Sequence, residues 1–99
     1  MASSREFLDF VLEQLKDVEN VSFRPMMGEF LLYSCGILFG GVYDDRLLIK
    51  KTKSNARFTL EEQLPYDGAK PMLLVENMDD AEYLKELVEK TLKDLRGRK

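Results

Sequence analysis

Any chemistry in this chain has to come from Cys35, from the acidic pairs Asp44-Asp45 and Asp79-Asp80, or from the lysines Lys50, Lys51 and Lys53. There is no histidine. That removes the commonest general base near neutral pH, and with it Ser-His and Cys-His nucleophile pairs. Cys35 is the single cysteine, so neither an intrachain disulfide nor a cysteine metal cluster can form. It sits beside Gly36 at an expected turn and is read as an accessible, inert thiol, since nothing beside it in sequence would activate it. The acidic pairs lack the alternating oxygen ligands of a calcium loop and are read as a turn and a helix cap. No catalytic, cofactor-binding or metal site is read from these residues, and an enzyme is not expected.

The lysines form the one basic cluster before the C-terminal tail, with Arg57 shortly after. On a strand, Lys50 and Lys51 point to opposite faces, so a solvated strand end is the first reading. An anion site is the alternative, helped by Ser54 at the start of a short helix. Met26, Met27 and Met72 are read as fillers of core gaps, against an adaptable binding surface. Tyr33, Tyr43, Tyr66 and Phe58 are not interleaved with base-reading arginines and are read as core or sheet-edge aromatics.

The elements that position these residues follow from pattern. Ser3 and Glu6 have capping-box spacing, and Phe7, Leu8, Val11, Leu12, Leu15 and Val18 make one apolar helical stripe that Glu19-Asn20 closes. An extended segment with Val21, Phe23 and Pro25 follows, then strands at 30–33, 37–43 and 46–51, with turns at Cys35-Gly36 and Asp44-Asp45. Gly40-Gly41 inside a strand predicts a bulge or the close approach of another element. Ser54 is expected to cap a short helix to about Leu60, and Pro65 to stop it. Tyr66-Asp67-Gly68 reads as a turn, and Met72–Val75 as a fifth strand, apolar throughout and so expected to be buried on both faces. Asp79 and Glu82 cap a last helix with Leu84, Leu87, Val88, Leu92 and Leu95 inward, and Glu86–Lys90 and Glu89–Lys93 paired outward. The basic tail Arg96-Gly-Arg-Lys99 suits a helix C-terminus.

The resulting fold class is α+β: an antiparallel sheet of about five strands, with N- and C-terminal helices and a short middle helix. The 99 residues make a single domain, 1–99. A net charge of -3 argues against a broad phosphate-tracking surface. The first residues lack the apolar core of a signal peptide, and the longest apolar run, Gly36 to Tyr43, is far too short to span a bilayer. A cytoplasmic protein with no membrane contact is expected.

Several motifs together resemble the N-terminal domain of the TfoX/Sxy family of competence regulators. They are Arg24-Pro-Met-Met-Gly28, Tyr33 with Gly36, Gly41-Val-Tyr-Asp-Asp-Arg46, Leu48 with Lys50, and Leu64-Pro-Tyr-Asp-Gly-Ala69. The chain departs from the family in having Met27 where phenylalanine is usual, with Glu29 after Gly28. The resemblance implies an α+β fold similar to secretion-chaperone-like domains, and no enzymatic activity. It supplies no catalytic residues, and implies structural roles for Arg24, Gly28, Gly36 and Lys50. Longer family members act at competence promoters with the cyclic-AMP receptor protein and carry a second, helical C-terminal domain, before which this sequence ends.

The expected function is a non-catalytic protein-interaction module linked to transcriptional regulation. Its candidate surface is Arg24, Pro25, Met26, Met27 and Gly28, with Lys50 and Lys51. The alternative is a small-molecule or anion-binding domain using Arg24, Lys50 and Lys51. The expected partner is a transcription-related protein, without sequence-specific duplex DNA binding by the chain itself. Self-association as a homodimer stays open.

Overall fold

The computed structural model describes residues 4–96. The order is α1 (Arg5–Gln14), β1 (Val21–Met26), β2 (Glu29–Ser34), β3 (Ile37–Tyr43), β4 (Arg46–Ile49), a 3-10 turn (Ala56–Phe58), β5 (Glu62–Gln63), β6 (Met72–Val75) and α2 (Ala81–Arg96). The strands form one antiparallel sheet in the order β1-β2-β3-β4-β6-β5. The α+β expectation holds, with six strands rather than about five. The added strand, β5, is two polar residues long and carries no apolar alternation to announce it.

Both helices start one residue later than the capping spacing suggests. Ser3 lies outside the described residues; Ser4 is the cap, its Oγ accepting from Phe7 N–H at 3.1 Å. For α2 the cap is Asp80 rather than Asp79, with Oδ1 accepting from Tyr83 N–H at 3.1 Å. In each case the side chain satisfies a donor that the first turn leaves unpaired. The helix α1 also ends early, at Gln14, although its stripe does not. Leu15 and Val18 stay buried from the turns that follow, since a spacing of three serves a turn as well as a helix. Asn20 takes the left-handed conformation expected of it (φ 47°). At the other end of the chain, residues 97–99 of the basic tail lie outside the described residues.

The helices pack on one face only. Leu8, Val11, Leu15 and Val18 meet Leu84, Leu87, Val88 and Leu92 over Leu32, Phe39, Val42, Leu47, Ile49 and Val75. Val42, Leu47 and Val75 are register partners, one from each of three neighbouring strands. Burying that face is the main favourable term in folding. β6 is not buried on both faces. Leu73 and Val75 are buried while Met72 and Leu74 are half-buried, because among the described residues no helix covers the second side of the sheet.

On that open side the register aligns Arg24, Leu31, Gly41, Leu48 and Leu74 in one row across five strands. The bulge expected at Gly40-Gly41 falls beside it, at Phe39, and the nearest approach to Gly41 comes from a ring of the same strand. The β2–β3 register shifts between Leu32 and Tyr33, leaving Phe39 unpaired by β2 as the bulge residue. The ring is that of Tyr43.

The loop before β5 is held to α2 by polar contacts. Ser54 does not cap a helix. Its N–H and hydroxyl both donate to Asp94, at 2.6 and 2.7 Å. The 3-10 turn has Asn55 at its N-cap without a side-chain cap bond. Asn55 is fully buried and donates to Lys50 O (2.8 Å) and Thr91 Oγ1 (2.7 Å), while its Oδ1 accepts from Thr52 N–H (2.8 Å).

The outward pairs expected on α2 are not closed. Ion pairs among the described residues join Arg5 to Asp9, Lys16 to Glu13 and Lys51 to Glu62. Exposed pairs gain so little that long side chains stay free in solvent.

Candidate functional site

The β1–β2 turn is built from Met27 and Gly28, both with positive φ (51° and 86°). A two-residue hairpin turn with both φ positive matches the twist of the strands and favours Asn-Gly or Asp-Gly. Gly28 meets that demand. Met27 does not, because a side chain in the left-handed region crowds the following carbonyl at a cost of roughly 1–2 kcal/mol. Met27 is also 97% exposed, and Met26 is 37% exposed. The core-filling reading therefore fails for both methionines. An apolar side chain stands in water at the tip of an edge hairpin, on backbone that disfavours it.

Arg24, Pro25 and Met26 are all exposed on β1, one of the two edges of the sheet. Pro25 offers no N–H along that edge, which limits strand addition there. Arg24 enters none of the ion pairs among the described residues. Two acidic side chains of the neighbouring turns, Glu29 and Asp45, bond other partners. Glu29 Oε1 accepts from Asp44 N–H (3.0 Å), and Asp45 Oδ1 accepts from Ser4 N–H (2.8 Å).

Lys50 and Lys51 are not beside this tip. The tip shares its end of the sheet with the Asp44-Asp45 turn, whereas Lys50 and Lys51 follow the far end of β4. β1 and β4 are also three strand spacings apart, about 14 Å. The structure thus separates the residues proposed from sequence into two groups, and Arg24 shares no pocket with the lysines.

The second group lines a cleft of about 520 Å³ between the open face of the sheet and the loop at 65–71. Tyr43 and Leu38 come from β3. Lys50 and Lys51 come from just beyond β4, where the strand has ended and side chains no longer alternate. The loop adds Pro65, Tyr66 and Lys70, and β6 adds Met72. Arg46 anchors the chain where it enters the loop. Its Nε donates to Tyr43 O (3.1 Å), and its two terminal nitrogens donate to Gln63 Oε1 (2.6 Å) and Leu64 O (3.4 Å). Burial pushes the Tyr43 phenol up, with further pushes from Tyr66, Glu29 and Tyr33.

Sequence reasoning missed Tyr66, Lys70 and Arg46 as parts of a site. Lys70 lies between two prolines, Pro65 and Pro71, in a segment with no periodicity to place it, and its meeting with Lys50 depends on the chain returning as β6. Cys35 is exposed at the β2–β3 turn, with Asn20 Nδ2 3.8 Å from its sulfur. Among the described residues no group of three His, Cys, Asp or Glu side chains gathers to hold a metal ion, and no helix is long and apolar enough to cross a membrane.

The arrangement offers one exposed apolar tip and one cleft lined by donors, without a carboxylate in the lining. Comparison with curated proteins finds none that matches the chain. The family model of the TfoX N-terminal domain matches residues 13–95, from the end of α1 to the end of α2, with the tip and the cleft inside it. The chain therefore belongs to the TfoX N-terminal domain family.

Proposed function

We propose that the domain is a non-catalytic regulatory module that contacts a protein partner through the β1–β2 tip, Arg24 to Gly28. Membership of the TfoX N-terminal domain family supports a competence-related, transcription-linked setting for that contact. The observation that carries the reading is Met27, 97% exposed with φ at 51°. Nothing in the hairpin gains from a methionine there. Apolar surface held out in water on strained backbone is what a binding surface looks like before its partner arrives.

The partner is a protein rather than a duplex. The net charge is -3, and neither helix presents a row of Arg, Asn and Gln for a major groove. Sequence-dependent mobility shift of duplex DNA by the chain alone, at physiological salt, contradicts this part.

The test is Met27→Asn. Asparagine suits the left-handed turn position, so the variant gains stability, by about 0.5–1 kcal/mol, and loses the partner. Arg24→Ala leaves the melting temperature nearly unchanged and weakens partner capture. A variant that melts several degrees lower and keeps its partner assigns Arg24 to structure instead.

A further inference from the structure

We propose that the cleft between the open sheet face and the 65–71 loop binds a small phosphorylated ligand carrying a flat ring, of mononucleotide size. Its volume of about 520 Å³ lies within the range of small-molecule sites. Three lysines, Lys50, Lys51 and Lys70, share the lining, and no acidic residue does. This happens in a chain whose 18 acidic residues outnumber its 15 basic ones. Lys51 is drawn to Glu62 at 2.6 Å outside the lining. Lys50 and Lys70 are in no ion pair among the described residues.

Like charges lining one cleft repel, and a multiply charged anion offsets that repulsion. Lysine supplies compact, strongly hydrated point charges, and a phosphate takes several of them at once. The neutral part of the site is equally specific. Tyr66 is 60% exposed, and it shares the lining with Pro65 and Tyr43. An exposed ring at the rim of a cationic cleft offers a stacking face for a base. Leu38 and Met72 supply an apolar lining. Arg46, outside the lining, ties down Gln63 and Leu64, where the chain enters the loop, which limits the ordering a ligand must impose.

The site does not depend on the partner reading of the tip. The test is titration of isotopically labelled protein, followed by amide shifts, with adenosine 5′-monophosphate, ribose 5-phosphate, adenosine and inorganic phosphate. The monophosphate shifts residues around Lys50, Tyr66 and Lys70 saturably, with a Kd below about 1 mM, and each fragment binds at least about tenfold more weakly. Tyr66→Ala, at an exposed position that leaves the fold intact, weakens the monophosphate and not inorganic phosphate. Lys50→Gln with Lys70→Gln weakens both. Met27→Asn changes neither. Absence of saturable shifts at about 10 mM monophosphate overturns the site. So does binding that the paired lysine variant leaves unaltered. Equal affinity for inorganic phosphate and the monophosphate overturns the ring.

Discussion

The ring of Tyr43 occupies the space above Gly41 on the open face of the sheet. A Cβ on Gly41 would stand 2.7 Å from Tyr43 Cε2 and 2.8 Å from the Phe30 carbonyl oxygen. The tyrosine also contributes to the cleft, so a glycine inside a strand sets the shape of a surface.

Gly41→Ala therefore destabilises the domain. The tyrosine ring can swing aside, but the Phe30 carbonyl belongs to the ladder and yields only with the backbone. Overpacking of this kind costs about 1–3 kcal/mol. Denaturant unfolding at unchanged m-value checks it, and a midpoint equal to that of the wild type contradicts the close approach.

Ser54 and Asp94 predict an acid-sensitive lock between the loop and α2. The backbone N–H of Ser54 and then its hydroxyl hold the Asp94 carboxyl below its usual value of 3.8. The Thr52 hydroxyl, which makes no hydrogen bond of good geometry, also favours the charged form from close by. A carboxyl with a depressed folded pKa binds fewer protons folded than unfolded. Its contribution is present above the unfolded value and is lost as pH falls through the folded one. The melting-temperature gap between wild type and Asp94→Asn should therefore stay constant from about pH 7 to about pH 5 and shrink below about pH 4. A gap that keeps its size into acid contradicts the lock.

Asn55 is a second tie, buried and fully bonded between Lys50 O, Thr52 N and Thr91 Oγ1. Asn55→Leu keeps the bulk and strands the Thr52 N–H and the Lys50 carbonyl. Each buried group left without a partner costs about 1–3 kcal/mol. Chemical denaturation measures the loss, and a change below about 0.5 kcal/mol places the site in the ordinary range of surface substitutions.

How much of this was legible beforehand depends on the range of the signal. The stripes of α1 and α2 were readable because helical period and burial coincide at Leu8, Val11, Leu84 and Leu87. The bulge beside Gly40-Gly41 was readable because glycine inside a strand has few other uses, while the ring against Gly41 is that of Tyr43 in the same strand. β5 was not, since Glu62 and Gln63 pair with β6 through backbone alone. Ser54 looked like a cap because its partner, Asp94, is 40 residues away. Arg24-Pro-Met-Met-Gly28 marks the tip as a candidate surface, while the exposure of its methionines follows only from the turn at Met27-Gly28. The cleft was half visible, as Lys50 and Lys51, while Lys70 and Tyr66 reach it only through the return of the chain to β6.

The claim that the β1–β2 tip is the contact surface is tested most directly by a photo-activated cross-linker placed at position 27 in the native cell. A second chain carries it at Glu86, which is exposed on α2. Irradiation should give one discrete protein adduct from position 27 and none from position 86, and Arg24→Ala should weaken the adduct without moving the melting temperature. Equal labelling from both positions, or none from position 27, contradicts the account.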